Sequence, residues 1–259
     1  MSSSGEAANS ESAATAVERA TAKRYKQLQM VCITAAVVHG IALLLCIYSF
    51  REGNLDEFSI ARLMRFVTAH VVLWRACGVT VSLSSITFLL QFLAFRQVLR
   101  ARHELWMLLA TSVIVIAIAG DLHAHGTMMV LFADIANQIH SGGFYSNQDL
   151  LLQGWIALSQ AMTQTFLYSN TLYTFAGFIL AAAIVRGGGP PRWLGWAAFP
   201  VWITSFLVSL LTFVGEIPWA IVLLFASVIA FTVWSIVVAV TIDPLTAVSE
   251  PDESEHQPS

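Results

Sequence analysis

Charge is scarce in this sequence, and what there is shows little pattern. Of 259 residues only 11% are charged, the net charge is −3, and no basic stripe runs along any segment. Nucleic acid is therefore excluded as a partner, because phosphate binding needs clustered Lys and Arg. Cysteine is also sparse. Cys32, Cys46 and Cys77 lie inside apolar segments without a CxxC or other close ligand spacing. They are expected to be small packing residues, not a disulfide framework or a thiolate zinc site. The usual catalytic strings are missing too. There is no HExxH, no G-x-S-x-G and no defensible Ser-His-Asp order, and "RGGGPPRW" lacks the Lys-Ser/Thr that holds nucleotide and magnesium.

Apolar residues fill the space that charge leaves. They make up 57% of the chain, and the mean hydropathy is +0.70, a membrane balance. A bilayer core of roughly 30 Å needs about 20 apolar residues of helix. The sequence offers six such runs, at about 30–50, 72–95, 105–125, 164–185, 193–214 and 218–242. The expected fold is all-α, a polytopic integral membrane bundle of six transmembrane helices over 29–242. Residues 1–28, rich in Ser, Ala, Glu and Thr, are expected to be a disordered cytoplasmic tail, and 243–259 an acidic one. No small-residue cleavage site follows the run at Met30, so that run is expected to be a retained first span.

Lys and Arg favour the cytoplasmic side of short loops. Arg19, Lys23, Arg24 and Lys26 precede span one; Arg96, Arg100 and Arg102 join spans two and three; Arg186 and Arg192 join spans four and five. The opposite side carries Arg51, Arg62 and Arg65 in the first loop and no Lys or Arg in the long third loop. An N-in, C-in arrangement follows. In the first loop, Ile60, Leu63, Met64 and Val67 recur at i, i+3, i+4, i+7, which predicts an interfacial helix with Arg62 turned to water. The apolar stretch from Gly126 to Ile139 would extend span three. A straight helix of about 35 residues would exceed roughly 50 Å, so a bend at Gly120 or Gly126, or a stalk outside the membrane, is expected.

An ionisable group inside a span costs roughly 2.5 to 3.5 kcal/mol on insertion scales and needs a partner or a function. Arg75 lies one turn inside the outer end of span two, and Asp121 about 25 Å of helix rise from the inner end of span three. With His70, His123, His125, Asp134, His140 and Glu216 they are expected to form one outward-facing polar layer. Asp121 and His125, four apart in "GDLHAHG", share a helix face, and His123 points the other way. Gln153, Gln160, Gln164 and Thr171 draw a polar stripe on span four, expected to face the bundle interior. Arg75 either snorkels to the headgroups or pairs with Asp121. His70, Asp121 and His125 are chemically suited to zinc or iron. His39, mid-membrane on span one, has no partner expected at its depth and reads as a hydrogen-bonded core histidine. Glu216, ahead of Pro218 in "VGEIPW", sits where a carboxylate favours the positive end of a helix dipole; it is a helix cap or a catalytic acid. Trp155, Trp193, Trp196 and Trp219 suit interfacial anchoring.

From Phe175 to Val240 an apolar span, the turn and "PPRWLGW", a further span and "GEIPW" occur in order. This arrangement, about a quarter of the chain, resembles the C-terminal half of the bacterial domain-of-unknown-function 4386 family. The resemblance implies a six-helix protein of the bacterial cytoplasmic membrane and brings no established activity or catalytic residues with it.

Three functional readings are open. In the first, a small molecule or ion is bound or moved through an outward pocket, with Arg75 holding an anionic group, Asp121 and His125 exchanging protons, and Gln160, Gln164 and Thr171 lining the path. In the second, an integral-membrane enzyme acts on a lipid or isoprenoid-like substrate through Asp121, His125 or Glu216, with or without a metal. In the third, the chain is an interaction subunit whose polar residues order the bundle. The lipid bilayer is a partner in all three, and six helices would complete a path only as a homo-oligomer in some of them.

Overall fold

A computed structural model describes residues 3–51, 60–99, 103–141, 147–187 and 189–242. Every regular element among them is helical: α1 Ser3–Phe50, α2 Ile60–Ala69, α3 Val71–Val98, α4 Glu104–Gly126, α5 Ala133–His140, α6 Asn147–Thr163, α7 Asn170–Val185, α8 Arg192–Phe213 and α9 Ile217–Thr241. Six continuous stretches are long and apolar enough to cross a membrane: 15–50, 71–98, 104–140, 148–185, 192–213 and 217–241. The protein is a polytopic, all-helical membrane protein.

The six stretches close into a ring. α1 packs on α3, α3 on α4, α4 on α7, α7 on α8, α8 on α9, and α9 back on α1. Lipid tails are as apolar as leucine, so the ring must be held by close packing and interhelical hydrogen bonds. Such bonds occur at several levels: Gln29 Nε2 donates to the Ala239 carbonyl (2.8 Å), Gln91 Nε2 to Ser235 Oγ (3.0 Å), and Trp234 Nε1 to the Leu194 carbonyl (3.0 Å). The outer face is apolar: Ile33, Val37 and Leu44 of α1 all stand exposed, as a lipid-facing surface requires. Trp155, Trp193, Trp196 and Trp219 are exposed as well.

The N-terminal stretch expected to be a tail is instead helical from Ser3 onward, in one piece with span one. Ala, Glu, Lys and Arg propagate a helix that a membrane span has already nucleated. Tyr25 and Leu28 also dock in the core with Phe95, Met107 and Ile184. Residues 243–259, the other expected tail, lie outside the described residues.

Two interior layers of apolar side chains close the ring at its ends. One surrounds Leu28, Phe95, Met107, Leu180, Leu194 and Val238. The other is built by the first and third loops. α2 is the amphipathic helix that the i, i+3, i+4, i+7 pattern predicts; Leu63, Met64 and Val67 are buried and Arg62 is exposed. These residues pack with Phe132, Ile135 and Leu158 from the extensions of spans three and four.

Spans three and four share an irregularity. α4 passes into α5 through a π-helical segment, Thr127–Phe132, and α6 into α7 through another, Gln164–Ser169. The change expected near Gly126 is thus a widened helical turn, and the helix runs on to His140. A neighbouring helix donates a side-chain hydrogen bond to each segment: Trp74 Nε1 to the Met128 carbonyl at 2.7 Å, and Ser209 Oγ to the Phe166 carbonyl at 3.1 Å. Inserted donors of this kind hold a helix open locally, and π segments cluster at functional sites. The tight joint between α8 and α9 turns at Gly215, whose φ of +87° is costly for any residue with a Cβ.

Candidate functional site

Between the two apolar layers lies a chamber of about 160 Å³, walled by residues from all six membrane-spanning stretches. Its polar wall comes from α3, α4, α7 and α8. Asp121 is 4% exposed, and its Oδ2 accepts hydrogen bonds from Tyr173 Oη at 2.8 Å and Ser85 Oγ at 3.0 Å. Its Oδ1 is buried and makes no hydrogen bond among the described residues, and Ser169 Oγ, beside Gly120, is likewise without one. His125, one turn further along α4, lines the same chamber and contacts Ser82 Oγ through Nδ1 at 3.3 Å.

Helix spacing explains this meeting. Residues four apart on α4 point Asp121 and His125 inward together, and His123 lies on the exposed side. On α7, Asn170, Tyr173 and Thr174 form an i, i+3, i+4 set facing Ser205 and Ser209 of α8. Asn170 Nδ2 donates to the Ser205 carbonyl (2.6 Å) and to Ser209 Oγ (2.9 Å), Ser205 Oγ returns a bond to Asn170 Oδ1 (2.7 Å), and Thr174 Oγ1 donates to Ser205 Oγ (3.0 Å). This network fixes α7 against α8 and so holds the Tyr173 hydroxyl over the carboxylate.

The opposite wall is aromatic. Phe88 stacks on Phe231 with centroids 4.3 Å apart and on Tyr173 at 5.1 Å, and meets the edge of Trp202 at 5.9 Å. His39 sits against both Phe88 and Phe231. Its Nδ1 lies 2.9 Å from the Ala35 carbonyl and 3.5 Å from Thr87 Oγ1. It is the hydrogen-bonded core histidine that its mid-span position predicts, but it also borders the chamber that Asp121 lines.

A second chamber of about 140 Å³ adjoins the first and shares Cys46, Val81, His125, Thr165, Leu224 and Phe225 with it. It is lined by thiols, thioethers and aromatic rings, among them Cys77, Met128, Met129, Met162 and Phe225. The cysteines expected to be separate packing residues include a pair: Cys46 Sγ of α1 lies 3.5 Å from Cys77 Sγ of α3.

Several other expected partners lie apart. Arg75 does not pair with Asp121; its guanidinium is 3.9 Å from Asp134, and both side chains are more than half exposed. Asp121 is also not at the outer end of the ring: it accepts from Ser85, at the middle of the 71–98 stretch, and lies midway along its own 104–140 stretch. The single outward polar layer is therefore two sets: Asp121 and His125 inside the ring, and Arg75, Asp134, His70, His123, His140 and Glu216 exposed outside it. His70 stacks on Phe66 and lines a surface recess with Arg62 and Arg65, away from Asp121 and His125. Among the described residues, no three or more His, Cys, Asp or Glu side chains gather to hold a metal ion. Glu216 occupies the N-cap position of α9, but its side chain makes no capping bond; its carbonyl accepts from the Ala220 amide instead.

The glutamine stripe is displaced as well. Gln153, Gln160 and Thr171 are exposed, the Thr171 hydroxyl bonds back to the Leu167 carbonyl, and only Gln164 turns inward, against Gly120. Gln153 and Gln160 precede the π segment, and their spacing of seven places both on one exposed face of α6. The π segment at Gln164–Ser169 inserts an extra residue into a turn and rotates the residues beyond it by about 100°. The interior polar face of span four is thus Ser169, Asn170, Tyr173 and Thr174, legible in principle as a short i, i+3, i+4 set opposite Ser205 and Ser209.

No protein-family model matches the chain, and neither a curated protein nor a solved structure does. Its class therefore rests on the fold and the chamber: a six-span helical membrane protein whose ring of helices encloses a buried carboxylate between aromatic and hydroxyl-bearing walls.

Proposed function

We propose that this protein binds a small organic cation, of the amine or quaternary-ammonium class, inside the helical ring. Asp121 is the counter-charge, and the aromatic stack of Phe88 and Phe231, with Trp202 against its edge, forms the apolar wall of the chamber. Asp121 carries the reading. A carboxylate buried among membrane helices is expensive without a compensating charge, and no Lys or Arg forms an ion pair with it among the described residues. Tyr173 and Ser85 steady one of its oxygens, and the other, with the Ser169 hydroxyl nearby, has no donor at standard hydrogen-bond geometry among the described residues. The rest of the chamber wall is largely aromatic and hydrocarbon, surroundings in which the attraction between a carboxylate and a cation is stronger than in water.

The chamber limits the size of the occupant. A volume of about 160 Å³ holds roughly five waters at about 30 Å³ each, which suits a cation of about half a dozen heavy atoms. A proton competes with such a cation for Asp121. The other titratable side chains facing the chamber are His39, Cys46, His125 and Tyr173, none of them a fixed positive charge. Binding is thus coupled to proton release, the behaviour of a carrier or a receptor that exchanges one for the other. The bundle end that gathers Arg24, Arg96 and His103 faces the cytoplasm in this reading, giving an N-in, C-in protein of the bacterial cytoplasmic membrane.

The test is to titrate tetramethylammonium, trimethylammonium and methylammonium into the full-length protein in nanodiscs, by calorimetry and thermal stability. Saturable binding is expected, weakened about a hundredfold by Asp121→Asn and unchanged by Asp134→Asn. Affinity in the wild type should fall as pH is lowered and Asp121 protonates, with that dependence lost in the Asn variant. If no amine binds, or if Asp121→Asn binds equally well, the reading is wrong.

A further inference from the structure

The second chamber carries a different chemistry from the first. Its wall brings together two thiols and three thioethers, from Cys46, Cys77, Met128, Met129 and Met162, with the His125 imidazole at the boundary. We infer that it is a binding site for a soft monovalent metal ion, copper(I) in chemical class, held by Cys46 and Cys77 with a methionine thioether as third donor.

The donor set selects the ion. Thiolate and thioether sulfur favour copper(I) over magnesium, calcium or manganese, which take oxygen. Among the described residues this wall offers few oxygens: Thr165 carries a hydroxyl, Ser49 places another against Cys77, and the remainder is sulfur, imidazole, the Trp74 indole and hydrocarbon. Geometry agrees. Two sulfurs 3.5 Å apart, each at about 2.3 Å from one ion, subtend an angle near 100° at the metal, which a third donor can complete. Met129 is the thioether whose packing is defined: its Sδ lies on Gly78, where an added Cβ would come within 2.5 Å of it, and it lines the chamber together with Cys46 and Cys77. The absence of a side chain at Gly78 is what lets this thioether pack against α3 there. A cluster of His, Cys, Asp and Glu does not form among the described residues, so a zinc-type ligand set is not what the chamber offers.

Charge and protons also balance. Uptake of one monovalent ion by two thiols releases two protons and leaves a net charge of −1 on the metal dithiolate. One proton leaves for solvent, and the other is retained on His125, whose imidazolium neutralises the site. Because His125 also lines the first chamber, a filled metal site places positive charge one helical turn from Asp121.

The experiment uses the full-length protein in detergent, reduced and oxygen-free, with silver(I) as a redox-inert probe for copper(I). Near-stoichiometric retention after desalting, with a sulfur-to-metal charge-transfer band in the ultraviolet, is expected. Cys46→Ser and Cys77→Ser should each abolish the band, Met129→Leu should weaken affinity about tenfold, and Cys32→Ser and Asp134→Asn, neither of which lines this chamber, should leave affinity unchanged. Size exclusion and helical circular dichroism establish that each variant folds, and Met129→Leu keeps the test valid if a serine variant does not. Retention that survives the Cys46→Ser/Cys77→Ser double variant would overturn the assignment. So would a reduced protein that takes up no silver but forms a Cys46–Cys77 crosslink in air, which would make the pair a redox couple. Loss of amine binding alone would bear only on the first chamber, since silver uptake is measured in the absence of amine and through Cys46 and Cys77, of which Cys77 lines only the second.

Discussion

Asp121 and Asp134 lie on the same membrane-spanning stretch, yet the fold treats them in opposite ways. Asp134 is more than half exposed and faces the Arg75 guanidinium at 3.9 Å, a rim carboxylate served by a long, mobile cation and by water. Asp121 is almost wholly buried, with one oxygen bonded to the hydroxyls of Tyr173 and Ser85, no Lys or Arg in ion-pair contact among the described residues, and the His125 imidazole one turn away as its electrostatic neighbour. Position along the helix decides the partner. At the rim a carboxylate can recruit a snorkelling arginine. At mid-length the neighbours are helix faces, and the small donors those faces carry bring no permanent positive charge. A rim pair therefore stabilises only itself, and an inner carboxylate is available to an occupant.

The sharpest stability contrast should come from the scaffold that holds Tyr173 over Asp121. Asn170→Leu removes bonds to Ser205 and Ser209 at once and leaves two buried hydroxyls short of a partner, so it is expected to lower stability by about 1–2 kcal/mol in thermal unfolding. Gln160→Leu, on the exposed face of the same span, is the control. If it costs as much as Asn170→Leu, interior and exterior polar groups are not distinguished as argued. A smaller effect is expected of Phe231→Leu, which keeps the chamber apolar but removes one ring of the stack that shapes its wall. Tetramethylammonium affinity should fall by about 0.5–1 kcal/mol with Asp121 intact, as read by calorimetry. An unchanged affinity would leave the carboxylate as the whole of the site and the aromatic wall without a part in binding.

Local pattern makes much of this legible, and long-range geometry hides the rest. Six apolar runs, the amphipathic α2 and the shared face of Asp121 and His125 follow from hydropathy and a 3.6-residue period, which are properties of single segments. The partner of Arg75, the Cys46–Cys77 contact and the convergence of Phe88, Trp202 and Phe231 depend on how helices distant in sequence pack, and no spacing rule reaches across that distance. The two π segments mislead in a more specific way. They carry spans three and four past their expected ends and rotate span four beyond Gln164, so that Asn170 and Tyr173 reach the chamber. A sequence reader has no simple signal for a π segment, since what holds it is a donor such as Trp74 or Ser209 on another helix.

The smallest effect expected is at the rim, and it bears most directly on the contrast between the two aspartates. An exposed pair at 3.9 Å gains little Coulomb energy in a wet interface and must order two long side chains to do so. Arg75→Ala and Asp134→Asn should each change stability by less than about 0.5 kcal/mol, with a coupling between them near zero in a double-mutant cycle. Neither should alter amine affinity, because neither side chain lines the chamber. A coupling above about 1 kcal/mol would mean that the rim pair is shielded from water. Arg75 would then have to be counted with Asp121 as part of the charge balance inside the ring.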